Sequence, residues 1–199
     1  MSGFLAARYW SYAVSMIIDH EREKLIESVK YFAQTTRKLG KVKLFKLLYF
    51  LDFTHFRDTG RPVTGLDYFA WKMGPVPKKL FDELAHPASD WQGNCTFKWV
   101  KTAKGDMLTV NALSEFNAAH FSKRELRLLR ELSTEFRDAD ADQMVEKTHL
   151  ENLPWHQIFE VEGRKQAQIP YLMSLRKQDY DFMLDSVLDR DLIISKLRN

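Results

Sequence analysis

The segment between Val42 and Asp58 restricts the fold more than any other part of the sequence. Its apolar side chains recur so densely that little room is left for a solvated helix face: Leu44, Phe45, Leu47, Leu48, Leu51 and Phe53. A helix that is apolar on most sides has to be surrounded by protein. We therefore predict a central, buried helix that ends near Gly60. A chain of 199 residues with 45% apolar side chains can build one sizeable core around it.

Helical periodicity also marks the segments on either side of this central helix. Apolar residues recur at helical spacing between Glu21 and Lys38, and Gly40 follows them as a stop. Further along, Pro77 is suited to open a helix, because proline lacks the amide hydrogen that finds no partner in a first helical turn. We predict that this helix closes at His86.

A capping box marks a helix start in the C-terminal half. Ser122 and Glu125 have the spacing at which the serine caps the third amide of a helix while the glutamate reaches back. Phe121 can also pack against Leu126 across the first turn. We predict a helix from Ser122, followed by helices over residues 140–148, 154–162 and 179–197.

Two kinds of segment favour β-structure. Residues 66–71 are aromatic-rich with low helix propensity, which favours a short strand. Residues 96–100 and 107–110 alternate in polarity around a turn-rich linker at Gly105, which predicts a β-hairpin. Since a lone hairpin is marginal in water, the strand that contains Phe69 is a candidate third member of its sheet. We interpret residues 74–77, two of them prolines, as a sharp break in the chain.

These segments together predict a mainly α fold with a small antiparallel β-element, an α+β fold. We divide the chain into an N-terminal extension, residues 1–20, and a single domain, residues 21–199. The extension carries three clustered aromatic side chains, Tyr9, Trp10 and Tyr12. They could cover the domain's own core, mediate self-association into a homo-oligomer or bind a partner.

Composition narrows the class of protein. The formal net charge of +3 gives only a weak field towards nucleic acid or an acidic membrane. The single cysteine, Cys95, allows no intramolecular disulfide, which fits a reducing compartment. The first residues lack the pattern of a signal peptide, and no apolar run reaches the roughly 20 residues that span a bilayer. We therefore expect a soluble, cytoplasmic protein.

No catalytic or metal-binding pattern stands out. Asp138, Asp140 and Asp142 resemble the start of a calcium loop, but the glycine and glutamate that such a loop needs later are missing, so an acidic helix start is the better interpretation. His149 and His156 lack zinc-site spacing. We predict no cofactor, no metal and no catalytic residue, and an enzyme built on these two histidines is the least favoured hypothesis.

A basic cluster lies where the first two predicted helices meet. It consists of Arg37, Lys38, Lys41, Lys43 and Lys46. Such a cluster can contact phosphates, but basic side chains near a helix end also complement the helix dipole. We favour a solvated face over a nucleic-acid site.

Several short motifs resemble one family when they are taken in order. They are Lys46-Leu47-Leu48-Tyr49-Phe50, Asp52, His55, Gly60-Arg61-Pro62, Thr64-Gly65, Tyr68, Gly74-Pro75-Val76-Pro77, Phe121-Ser122 with Glu125, Thr148-His149 and Pro154-Trp155. This series is similar to the Panacea domain, also called the SocA-like antitoxin domain. The resemblance covers roughly residues 22 to 170.

The resemblance implies a fold and a role. Panacea domains are expected to be mostly helical with a small β-element, and to act as antitoxins that neutralise an unrelated toxin encoded beside them by direct binding. At least one member is an adaptor that delivers its toxin to an ATP-dependent protease. Neither role requires catalysis by the domain itself.

The polar and aromatic motif residues are candidates for the partner-binding face. We predict that this face includes His55, Arg57, Arg61, Tyr68, Trp71, Lys72 and Lys78. Arginine, tyrosine and tryptophan are the residue types that most often anchor protein interfaces. The glycines and leucines of the motifs fit architectural positions instead.

Overall fold

Helix α2 (Lys41–Thr59) lies at the centre of the fold, as the density of its apolar residues predicts. A computed structural model of the protein describes residues 20–102, 105–150, 153–181, 183–185, 187–189 and 192. The other helices are α1 (Glu21–Thr35), α3 (Lys78–Glu83), α4 (Lys123–Glu135), α5 (Ala141–Thr148) and α6 (Pro154–His156), which continues as a π-helical turn over Gln157–Val161. Short 3₁₀ turns cover Ser89–Trp91, Tyr171–Ser174 and Lys177–Asp179. Four strands complete the fold: β1 (Tyr68–Trp71), β2 (Gly74–Pro77), β3 (Cys95–Thr102) and β4 (Gly105–Ala112).

The burial of α2 confirms its central place. Leu44, Leu47, Leu48 and Leu51 are fully buried, and neighbours from α1, α4, α5 and β2 pack around them. The helix ends at Gly60, whose left-handed backbone (φ 71°) lets its amide donate to the carbonyl of Phe56. The predicted stop at Gly60 is therefore confirmed.

The strands form two separate two-stranded antiparallel sheets, β1 with β2 and β3 with β4. The interpretation of residues 74–77 as a break is wrong, since they pair with β1 in the register Tyr68 to Pro77 and Ala70 to Pro75. The prediction that β1 could be a third strand of the hairpin sheet is also wrong, because β1 pairs with β2 in a sheet of its own.

The backbone explains how two prolines fit into β2. The Ala70 amide donates to the carbonyl of Ala167, and the carbonyls of Tyr68 and Ala70 accept from the amides of Ile169 and Gln166, so these groups do not bond to the residues opposite them in β2. Those opposite positions are Pro77 and Pro75, where no amide hydrogen is needed. Prolines thus occupy only the positions of β2 that require no donor.

Capping and ion pairs join the helices at the periphery. Both hydrogen bonds of the predicted capping box are present, from the Glu125 amide to Ser122 and from the Ser122 amide to Glu125. Lys24 Nζ donates to the same buried carboxylate at 2.7 Å, which ties α1 to α4. Asp140 and Gln143 form a second capping box at the start of α5, which confirms the acidic helix start there.

Several predicted boundaries shift. The first helix ends at Thr35, three residues before Lys38, and the hairpin strands are longer than predicted. Described residues between 180 and 192 are helical, as predicted for the tail, whereas residues 193–197 and the N-terminal segment 1–19 lie outside the described part. Val187 from this tail packs beside Gly60. Within the described residues, no helix is both long and apolar enough to cross a membrane.

Candidate partner-binding surface

Asp52 organises the loop that follows α2. Its carboxylate is fully buried and accepts hydrogen bonds from the amides of Val63 and Thr64 at 2.8 and 2.7 Å. The hydroxyls of Thr64 and Tyr68 donate to its other oxygen at 2.5 and 2.8 Å. Burial raises the pKa of Asp52, and the four hydrogen bonds to its carboxylate lower it. The net result is a pKa of about 6, so the carboxylate remains ionised at neutral pH. This buried anion holds the loop between Gly60 and Tyr68 in place.

His55 holds the start of the same loop. Its Nδ1 lies 2.7 Å from the carbonyl oxygen of Arg61, and because a carbonyl only accepts, Nδ1 carries the proton. Burial is the main cause that lowers the pKa of His55, so the ring is neutral at neutral pH. Asp52 and His55, one helical turn apart on α2, therefore shape the glycine-proline loop from inside.

Lys46 is the most unusual buried group of the fold. It is 1% exposed, and its Nζ donates to the carbonyl of Pro75 at 2.9 Å. The Pro75 carbonyl points away from β1, because Ala70, the residue opposite Pro75, makes its backbone hydrogen bonds to residues 166 and 167 instead. A Cβ at Gly74 would lie only 2.7 Å from both Lys46 Nζ and Thr148 Oγ1. Gly74 is thus required where α2, α5 and β2 meet.

We expect the stability of the protein to rise with pH because of Lys46. Burial lowers its pKa from 10.5 to about 7, and no carboxylate among the described residues pairs with it. Between pH 7 and 10.5 the unfolded chain binds a proton here that the folded chain does not, so the free energy of unfolding rises by about 1.4 kcal/mol per pH unit. Urea unfolding at pH 7.2, 7.8 and 8.4 should show this slope, and Lys46→Met should remove it.

The matched control for this measurement is Lys165→Met, since Lys165 is exposed. The pH range of the measurement stays below 9, the ordinary pKa of a thiol. Burial raises the pKa of Cys95 to about 12, so above pH 9 this thiol makes the free energy of unfolding fall as the pH rises, opposite to the effect of Lys46. Equal slopes in the parent and Lys46→Met would show that Lys46 is not the group responsible.

His149 and Trp155 close this buried region on the α5 side. Their rings stack at 3.7 Å with 5° between the planes, and Trp155 Nε1 donates to the carbonyl of Trp71 at 2.9 Å. Burial, and next the charge of Lys46, lower the pKa of His149, which leaves the ring neutral. Motif residues that are far apart in sequence thus meet as packing partners.

The basic cluster divides into two parts, so its interpretation as a solvated face is only partly right. Lys43 and Lys46 are buried, whereas Arg37 and Lys38 are exposed. Lys43 Nζ donates to the carbonyls of Arg37, Arg137 and Ala139 at 2.9 to 3.1 Å. It therefore joins the two loops that precede α2 and α5, because one ammonium satisfies three carbonyls at once.

Lys41, the remaining lysine of the cluster, lies among aromatic side chains on the surface. Its Nζ is 4.7 Å from the ring centre of Phe81 on α3 and 5.4 Å from that of Trp99 on β3. Phe81 in turn packs against Trp71 of β1 at 5.0 Å between ring centres. We call these four residues the aromatic–lysine surface. Trp99 is 63% exposed, the largest exposed fraction among the large apolar side chains described.

The described part of the chain contains neither an activated cysteine nor a cluster of metal-binding side chains. Cys95 is buried, and with a pKa of about 12 its thiol stays protonated and is a poor nucleophile. No group of three histidine, cysteine, aspartate or glutamate side chains lies close enough together to hold a metal, within the residues that the structure describes. Of the calcium-like aspartates, Asp138 pairs with Arg37 and Asp140 caps α5.

The stretch that contains these contacts matches a known family. The matching family model is described as antitoxin SocA-like, Panacea domain, and it covers residues 44–156, more than half of the chain. This chain belongs to the SocA-like Panacea family. The resemblance read from the motifs is therefore confirmed, and Asp52, Lys46, Gly74 and Trp155 all lie inside the matched Panacea segment. Searches of curated proteins and of solved structures found no match to the chain.

The predicted partner-binding residues of the Panacea domain occupy different environments. His55 and Tyr68 are buried, Arg57 and Trp71 are half-buried, and Arg61, Lys72 and Lys78 are exposed. In this structure the side chains of His55 and Tyr68 have the architectural contacts described above, and their role in partner binding stays a prediction. For the other five, a role in binding stays a prediction as well.

These five residues also lie near two separate places along α2. Trp71 belongs to the aromatic–lysine surface, Lys72 follows it in the chain, and Lys78 precedes Phe81 by one helical turn of α3. Arg57 lies 16 positions after Lys41 along α2, a separation of roughly 24 Å. Sequence reasoning missed Phe81 and Trp99, because a strand or helix pattern places such residues in the core as readily as on the surface.

Proposed function

We propose that this protein is a cytoplasmic antitoxin that neutralises a protein toxin by binding it directly. The observation that carries the proposal is the match to the SocA-like antitoxin family over residues 44–156. Direct binding is supported by the aromatic–lysine surface, whose exposed Trp99 is a residue type that dominates interface energies. The proposed role needs no substrate cleft and no cofactor.

The ionisable groups of the described region support a role without catalysis. Among the groups with strongly shifted pKa values, Lys46, Asp52 and Cys95 are buried in packing or hydrogen-bond contacts, and Arg22 pairs with Glu83 and Asp90. Perturbed groups mark a catalytic site when they line a cleft together. Two clefts of about 550 and 560 Å³ lie along α4 in the described part of the chain, and neither is lined by Lys46, Asp52 or Cys95.

Co-expression with the protein encoded by the adjacent gene tests the proposal. We expect the neighbouring gene alone to arrest growth and this protein to restore it, with the two proteins purifying as one complex. A Leu113→Asp variant, altered at a residue that is 58% exposed and follows the far end of β4 from the position opposite Trp99, serves as a control that should also restore growth. A harmless neighbour, or toxicity that this protein leaves untouched, would contradict the proposal.

The half-life of the toxin separates neutralisation by binding from delivery to an ATP-dependent protease. Under direct binding, the toxin should persist at least as long with this protein as without it. A toxin that disappears faster when this protein is present would identify an adaptor instead.

A further inference from the structure

The aromatic–lysine surface is assembled from four elements that are far apart in the chain. Lys41 opens α2, Trp71 ends β1, Phe81 lies on α3 and Trp99 lies on β3. Lys41 is in contact distance of two of the rings, and Phe81 also packs on Phe45 at 6.2 Å between ring centres. Phe81 and Trp71 are therefore held by the core below them, and Trp99 is held on a paired strand.

The exposure of these rings is the first reason to regard this surface as a binding site. Trp99 stands directly opposite the buried Leu108 in the hairpin register, yet 63% of it remains exposed. The neighbouring Met73 is 51% exposed in the turn after Trp71. Apolar groups of this size gain several kcal/mol when a partner removes them from water, by roughly 25 cal/mol per Å² of buried area. Their positions on rigid elements keep the entropic cost of binding low.

Charge defines the chemistry of the partner. Lys72, Lys78 and Lys79 are exposed beside the rings, and Lys41 lies over two of them. Of the four ammonium groups only that of Lys78 has a carboxylate partner among the described residues, Asp82. A surface with this excess of positive charge is complementary to a segment that carries Asp or Glu side chains.

Two features favour a protein over nucleic acid as that partner. Lys78 is already paired with Asp82, so the lysines do not form the unbroken basic track that a phosphate backbone follows. Met73 and Val100 also expose aliphatic surface that a nucleic acid would leave unused. A basic stacking platform for single strands would instead line a continuous positively charged groove.

We infer that the toxin docks on the aromatic–lysine surface through an acidic segment that also carries an apolar side chain. Its carboxylates pair with Lys41 and Lys72, and its apolar side chain packs against Trp99 and Phe81. This assignment rests on the proposed antitoxin function and specifies where and by what chemistry the toxin is held.

Two substitutions on this surface test the assignment without disturbing the core. Trp99→Thr keeps a residue that favours strands, and Lys41→Glu places a carboxylate in the first turn of α2, where the helix dipole favours it. We expect each to weaken binding of the adjacent-gene protein roughly 30-fold or more by titration calorimetry, and to weaken rescue of growth. Lys41→Arg should bind like the parent, because a guanidinium also packs on aromatic rings.

Matched controls lie elsewhere on the surface. Lys165 is 5.8 Å from the ring centre of Phe159, so Lys165→Glu repeats the loss of a lysine–aromatic contact at another site. Val161 is 62% exposed, so Val161→Ala removes a smaller amount of exposed apolar surface at another site. Both controls should bind the toxin as tightly as the parent does, and all variants should melt at the same temperature.

The possible outcomes separate the surface assignment from the proposed function. A parent that neither binds nor neutralises the adjacent-gene protein removes the antitoxin function and this assignment with it. A parent that neutralises, together with Trp99→Thr and Lys41→Glu variants that do so equally well, overturns the surface assignment alone. A labelled DNA duplex that the parent binds and Lys41→Glu releases, with toxin affinity unchanged, assigns the surface to nucleic acid and also overturns it.

Discussion

Leu48→Asp is expected to leave no soluble folded protein. Leu48 is fully buried at the centre of α2, with Leu44, Leu47 and Leu51 around it equally buried. Removing the leucine side chain alone costs about 2 to 5 kcal/mol through the cavity it leaves, and an unpaired carboxylate in an apolar core costs several more. The sum reaches the 5 to 15 kcal/mol by which a typical domain is stable.

The soluble fraction after expression and the melting curve followed by circular dichroism measure this effect. Leu113→Asp is the matched control, because Leu113 is 58% exposed and the same substitution there removes little buried surface. We expect the control to stay soluble and to melt like the parent. A Leu48→Asp protein that melts at the parent temperature would contradict the central burial of α2.

Gly74→Ala is expected to lower the free energy of unfolding by roughly 2 to 6 kcal/mol. The backbone of Gly74 has φ +92°, where a side chain is strained. The new Cβ would also lie 2.7 Å from Lys46 Nζ and Thr148 Oγ1 and 2.8 Å from Lys46 Cε. Both neighbours are fully or almost fully buried, so neither can move aside without losing its hydrogen bonds.

Gly93→Ala separates the two causes of this loss. Gly93 has φ +76° and nothing within 4 Å of an added Cβ, so alanine there carries the backbone strain alone, about 1 to 2 kcal/mol. Urea unfolding of both variants at one pH measures the difference between them. Equal losses for Gly74→Ala and Gly93→Ala would mean that the close approach of Lys46 and Thr148 does not restrict position 74.

Features that depend on neighbours in the chain were predictable from the sequence. The capping box of Ser122 and Glu125 is local, since both partners lie within one helical turn. The burial of α2 follows from its own composition, whatever packs against it. The family was also readable, because its motif residues keep their order along the chain.

The pairing of β2 was not predictable in the same way. Two prolines in four residues indicate a break unless the amide hydrogens at those positions are known to be unnecessary. That knowledge requires the hydrogen bonds of Tyr68 and Ala70 to residues 166–169, about a hundred residues further along the chain. The hydrogen bond that the Pro75 carbonyl accepts from the buried Nζ of Lys46 is likewise a tertiary contact.

The candidate site shows the same division. Residue type and motif membership selected Trp71, Lys72 and Lys78 from the sequence, and the structure places all three at or beside the aromatic–lysine surface. The same criteria also selected His55 and Tyr68, which are buried because the anion of Asp52 and the carbonyl of Arg61 hold that loop against α2. Phe81 and Trp99 carry no motif signal and were found only through their contacts.

The central helix, the capped helix starts, the mainly α fold class and the family could all be predicted before any tertiary contact was known. Each of these depends on side-chain type and on spacing along the chain, which the sequence states directly. Only the tertiary structure decided which lysines are buried, which strands pair and which aromatic rings remain exposed. Those properties depend on which distant segments meet, because solvent exposure and the destination of each backbone hydrogen bond belong to the assembled fold and not to any one segment.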